Sequence, residues 1–226
     1  MHLTIRKTCW IFFALWATAA LGHGVAASDL QYLEGISGTH FAPYMYLGAK
    51  HMVTGYDHLL FLCGVVFFLY GFKDVALYVT LFAIGHSVTL LFGTLSGVQV
   101  NPYLVDAVIG LSIVYKAIDN LRFLLSLPPL VNTKAAVFGF GLVHGFGLAT
   151  KLQEVALSAE GLLVNMIAFN TGVEAGQIVA LSLIVSAIGI WRRSKYFARS
   201  AYSANLILMS AGLLLFGYQV TGYFAK

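Results

Sequence analysis

The stretch His51-Met-Val-Thr-Gly55-Tyr-Asp57-His58 sets two imidazoles and a carboxylate directly ahead of the apolar run from Leu59 to Leu69. On one continuous helix His51 and His58 would stand two turns apart and share a face. Asp57 would lie about 100° round from His58, placed to bind beside it or to orient its ring. Ionisable groups cost ~2.5–3.5 kcal/mol each at the centre of a bilayer-spanning helix, so they need a purpose there. Metal coordination is the chemistry this pattern fits. Four more apolar stretches carry His86, Asp106, His144 and Glu174, with Ser87, Thr89, Asn170 and Gln177 nearby.

The composition sets the medium. Of 226 residues, 59% are hydrophobic and 10% charged, with a mean hydropathy of +0.84. Soluble domains carry about 25% charged residues, so the chain reads as a membrane protein. Its net charge of +4 is then no sign of nucleic-acid binding. The two cysteines, Cys9 and Cys63, are too few for thiolate metal sites. The run Gly139-Phe-Gly141-Leu-Val-His144-Gly145 lacks the final glycine and the preceding strand of a dinucleotide fingerprint.

Residues 1–27 read as a secretory signal: Arg6 and Lys7, an apolar run from Cys9 to Leu21, then small residues. Cleavage after Gly22 would make His23 the mature N-terminus and a further metal ligand. As an uncleaved anchor the apolar run is short. Residues 28–226 then form one domain, expected to be all-α with six transmembrane helices near 42–70, 75–95, 102–123, 135–150, 161–191 and 201–223. With the N-terminus outside, Lys73, Arg122, Lys134, Arg192, Arg193, Lys195 and Arg199 fall in or beside inner loops. Only Lys50, Lys151 and Lys226 fall outside, an asymmetry that favours this orientation. Gly93/Gly97, Gly141/Gly145 and Gly172/Gly176 are spaced for close helix approach.

That topology brings histidines and carboxylates from five helices to overlapping depths on the outer side, at ~1.5 Å per residue. Singly, each has a plainer reading. A lone intramembrane histidine commonly bonds a neighbouring helix, Glu174 and Gln177 serve as packing glue, and Asp106 caps a helix after Asn101-Pro102. Asp119 and Asn120, near the inner end of the third segment, read as capping or interfacial residues or as an inner gate. Together, four histidines and three carboxylates at one level make a site. Imidazole suits Ni, Co, Zn, Cu and Fe, and ligand type alone does not choose among them.

Four motifs carry a family resemblance: Gly55-Tyr-Asp57-His58-Leu-Leu-Phe61, Gly85-His86-Ser87-Val-Thr89-Leu90, Phe138 to Gly147 around His144, and Phe169-Asn170-Thr-Gly-Val-Glu174-Ala-Gly-Gln177. Over roughly residues 40–220 the chain resembles the HupE/UreJ family, hydrogenase and urease accessory membrane proteins regarded as nickel or cobalt permeases. Asp106 stands where that family's pattern leads one to expect Glu. The resemblance implies a multi-pass protein of the bacterial inner membrane that serves metalloenzyme maturation.

Both lines converge on a carrier that binds a divalent transition metal (Ni, Co, Zn or Cu) from the periplasmic side. The expected ligands are His51, Asp57, His58, His86, His144 and Glu174. Ser87, Thr89, Asn170 and Gln177 support them, and Asp106 is an entrance charge. The rival readings are an intramembrane zinc hydrolase, a b-haem electron carrier, and a periplasmic metal-handover protein without transport.

Overall fold

The computed structural model describes residues 37–153 and 160–225. The expected signal segment with His23 lies outside them, as does Lys226. The described residues form seven helices and no strand: α1 (Phe41–Thr54), α2 (Tyr56–Val66), α3 (Phe72–Ser96), α4 (Pro102–Leu124), α5 (Thr133–Gln153), α6 (Leu162–Arg192) and α7 (Phe197–Phe224). Four of these, α3, α5, α6 and α7, are long and apolar enough to cross a bilayer. The described residues are all-helical, and the chain is a membrane protein. Helix α4 is as long but is interrupted by Asp106, Lys116, Asp119 and Arg122.

The first apolar segment is not the single helix that the two-turn spacing of its histidines presupposes. It breaks at Gly55, where φ −71° and ψ 99° are extended, into α1 and α2. The Gly55 N–H still donates to the His51 carbonyl at 2.8 Å, so the chain turns sharply without losing that bond. The need for glycine is spatial. A Cβ there would lie 2.9 Å from His58 Nδ1, 3.0 Å from the His51 carbonyl oxygen and 3.2 Å from Asp57 Oδ1.

The cap of α4 is Asn101, which removes the plainer reading of Asp106 as a cap. Asn101 Oδ1 accepts from the backbone N–H of Tyr103 at 3.0 Å and of Leu104 at 3.4 Å, with Pro102 opening the helix. Asp106, one turn further on, is left for another task.

Three helix pairs build the bundle, each closed at glycines. In α1/α6, a Cβ on Gly172 would overlap the Met45 carbonyl and one on Gly176 would come 2.6 Å from that of Ala49. In α3/α5, Gly141 meets Phe82 and Gly145 meets His86 in the same way. In α4/α7, Gly222 meets Tyr103, and Gly212 meets Gly110 and Val114. Such contacts let backbones approach where hydrocarbon offers no hydrophobic drive for association. The contacts advance together along α1/α6 and α3/α5, which are parallel, and in opposite senses along α4/α7, which are antiparallel.

Helix α2 lies among the pairs, touching α1, α3, α4, α6 and α7. Phe61 and Leu62 on it are fully buried. Its last carbonyls have no further turn to bond. The Arg192 guanidinium, at the end of α6, donates to the carbonyls of Val66, Phe67 and Leu69 at 2.5–2.8 Å. That cation also complements the negative end of the helix dipole.

Candidate metal centre

His58, on the first turn of α2, is the hub of a histidine cluster. Its ring centroid lies 5.0 Å from that of His51, 5.1 Å from His144 and 6.0 Å from His86. These rings come from α1, α2, α3 and α5, and all four residues are buried. With metal–nitrogen bonds of ~2.1 Å, imidazoles around one tetrahedral ion have ring centres about 5 Å apart. The spacings of His58 from His51 and His144 match that figure, but the donors do not converge: among the described residues no group of three His, Cys, Asp or Glu is arranged to hold an ion.

Each ring is set by its helix and its neighbours. The Gly55 break turns α2 so that His58 returns toward His51. Thr89 fixes the α3/α5 register by donating its hydroxyl to the Leu142 carbonyl at 2.7 Å. That register brings His86 level with Gly145, beside His144. His144 Nδ1 is 2.7 Å from the Phe140 carbonyl. A carbonyl only accepts, so the proton is assigned to Nδ1 and the lone pair to Nε2. Asp57 Oδ1 lies 3.1 Å from His58 Nδ1 without the geometry of a hydrogen bond. Both ring nitrogens of His58 and both of His86 are buried without a hydrogen-bond partner among the described residues.

A pocket of about 10 Å³, room for one water-sized particle, lies against His51, Asp57, His58, Asp106, His144 and Lys151. Asp106 is held in its wall. Lys151 Nζ donates to Asp106 Oδ2 at 2.9 Å and to Oδ1 at 3.3 Å, and Gln219 Nε2 reaches Oδ2 at 3.4 Å. Sequence reasoning passed over Lys151 and Gln219. Lys151 is two turns from His144 on one helical face, a signal that was available. For Gln219 no sequence signal exists.

Glu174 is the expected ligand that the fold keeps out. It is exposed on α6, whereas Asn170, Gly172, Val173, Gly176 and Gln177 are buried. At about 100° per residue the buried residues fill one arc ending at Asn170, and Glu174 lies about 40° beyond it. Asn170 Oδ1 and Gln177 Nε2 are buried without hydrogen-bond partners among the described residues, but neither borders the histidine pocket. Ser87 is half-buried and also away from it. Four buried imidazoles meet around His58, three of them bordering the pocket, and imidazole nitrogen is a ligand type suited to borderline cations.

A family model described as "HupE / UreJ protein" matches residues 27–226, nearly the whole chain. The chain belongs to the HupE/UreJ family. No curated protein and no solved structure matches it.

Proposed function

We propose that this HupE/UreJ protein is a six-span carrier of the bacterial inner membrane. It takes up a divalent transition metal, nickel or cobalt foremost, from the periplasmic side and passes it inward. The observation that carries the reading is the contact of the His58 ring with those of His51, His86 and His144. The ring nitrogens of His58 and His86 are buried without hydrogen-bond partners among the described residues, and such atoms cost ~1–3 kcal/mol each, so packing alone does not account for them. Cargo bound by rings that must rotate to converge is also cargo that can be released.

Helix direction supports six crossings. If α1 and α2 together make one crossing and every later helix another, the first and fifth segments must be parallel. So must the second and fourth, while the third and sixth must be antiparallel. The glycine contacts have these three senses. Basic residues at the α2–α3, α4–α5 and α6–α7 ends favour placing those ends in the cytoplasm. A divalent cation entering a negative interior gains ~4.6 kcal/mol per 100 mV, enough to drive import without ATP. Proteins that mature nickel or cobalt enzymes are the proposed recipients. For a zinc hydrolase the geometry offers less, because Ser87 and Glu174 both lie off the pocket.

The test is metal accumulation in cells that lack their own nickel and cobalt importers. Wild type should accumulate one of Ni, Co, Zn or Cu, and His58→Ala should not. Absence of accumulation with wild type well expressed in the membrane overturns the carrier reading.

A further inference from the structure

At the far end of α2 from the histidines the fold contains a second polar space. A cavity of about 210 Å³ lies against Leu69, Tyr78, Lys116, Asp119, Asn120 and Thr133, and Phe68, Leu127 and Pro129 place it at the α2–α3 and α4–α5 connections. That volume accommodates several waters. Lys116 and Asp119 are both more than nine-tenths buried, with Nζ 2.6 Å from Oδ2. Asn120 Nδ2 ties the wall together, donating to the Gly64 carbonyl and to Asn205 Oδ1, each at 2.9 Å. Replacing a buried ion pair by apolar side chains is often neutral or stabilising, so the pair is not explained by stability. Ionisable residues at membrane depth mark ion pathways by default.

One apolar layer separates this cavity from the histidines. Phe61 is fully buried one turn below His58 on α2, and its ring lies 5.2 Å from Phe82, 5.9 Å from Phe140 and 5.5 Å from His144. Ile113 of α4 belongs to the same cluster. Val65, another turn on, already borders the cavity. From His58 to Val65 is about 10 Å along the helix.

We propose that this cavity is a second, inner cation station, at which the Asp119 carboxylate receives the hydrated divalent cation as it leaves the histidines. The Phe61–Phe82–Phe140 layer is the barrier between the two stations. Lys116 is the resident counter-cation: its ammonium occupies the carboxylate until the cargo displaces it, and returns as the cargo departs. That competition keeps the station weak, as a release site must be. The ligand class is a hard-shelled, water-bearing divalent ion on oxygen donors, in contrast to the nitrogen-rich outer cluster. This inference rests on the carrier reading for its direction of travel, but its site is tested separately.

Purified full-length protein in lipid nanodiscs is titrated with Co²⁺, the probe ion, by equilibrium dialysis. Lys116→Gln should bind one equivalent more than wild type, with the weak visible absorption of octahedral oxygen ligation. Lys116→Gln/Asp119→Asn should lose that equivalent. Equal stoichiometry in wild type and folded Lys116→Gln overturns the inner station, whatever the histidines bind. Should Lys116→Gln fail to reach the membrane, Co²⁺ uptake into vesicles by Asp119→Asn and Asp119→Glu decides. Asn should slow it about tenfold, the scale of one lost charge contact, and Glu should restore it. Equal rates for the two variants and wild type overturn the proposal, whereas no uptake by wild type itself counts against the carrier reading instead.

Discussion

Asp57 Oδ1 stands 3.1 Å from Nδ1 of His58, the next residue in the chain, and both side chains are buried. The carboxylate lies beside one edge of the ring that three other histidine rings surround.

Asp57→Asn keeps the shape and removes the charge. Loss of such an outer partner costs about 10–100-fold in metal affinity. Co²⁺ titration of the purified variant should show a Kd raised by that factor with unchanged stoichiometry. An unaltered Kd would mean that Asp57 does not orient His58.

Gly55→Ala puts a methyl group 2.9 Å from His58 Nδ1. Alanine adopts the Gly55 backbone angles readily, so the effect is local. Thermal unfolding in detergent should move by a few degrees, as for a perturbation of ~1 kcal/mol, while Co²⁺ binding falls at least tenfold. Binding that survives in step with stability would show that the break leaves His58 room to move.

Lys151→Gln removes the ammonium that holds Asp106. Without a cation on the pocket rim, an arriving metal meets one more uncompensated negative charge. Affinity for Co²⁺ should rise roughly three- to tenfold, the scale of a part-buried ion pair worth ~1 kcal/mol. The rise should shrink at high salt. A weaker site in this variant would instead make Lys151 a structural support of the pocket.

Glu174→Gln separates family motif from geometry. Because Glu174 is exposed on α6, the neutral variant should keep its Co²⁺ affinity within about twofold, far below the 10–100-fold penalty attached even to an outer-shell partner. A large loss of affinity would require Glu174 to swing inward in the metal-bound form.

Much of the fold is legible in the sequence because lipid makes the code simple. Pro102–Leu124 was expected at 102–123 and Leu162–Arg192 at 161–191, since apolar length and turn residues bound each segment. That His51, His58, His86 and His144 share a level was likewise readable from depth alone. What depth does not encode is azimuth. Glu174 is at the right level and falls outside because α6 turns its glycine face to α1, a choice made by backbone contacts that no single segment reveals. The break at Gly55 was hidden for a related reason. Glycine is common inside membrane helices, and only the crowding of His58, Asp57 and the His51 carbonyl distinguishes this one.

The glycine-closed pairs have a mechanical consequence. Where backbones touch, no long side chains are available to slide or re-rotamerise, so each pair moves as one stiff body. Relative motion is confined to the seams between pairs, which are filled by larger side chains such as Phe61, Phe82 and Ile113. Those seams meet at α2, whose Gly64 faces the side chains of Leu208 and Lys116 rather than a neighbouring backbone. The protein is thus three rigid staves around a short axle, with its ionisable groups at the axle's two ends. Amide hydrogen exchange should rank accordingly, slowest along the staves and fastest in α2, and uniform protection across all seven helices would contradict that division.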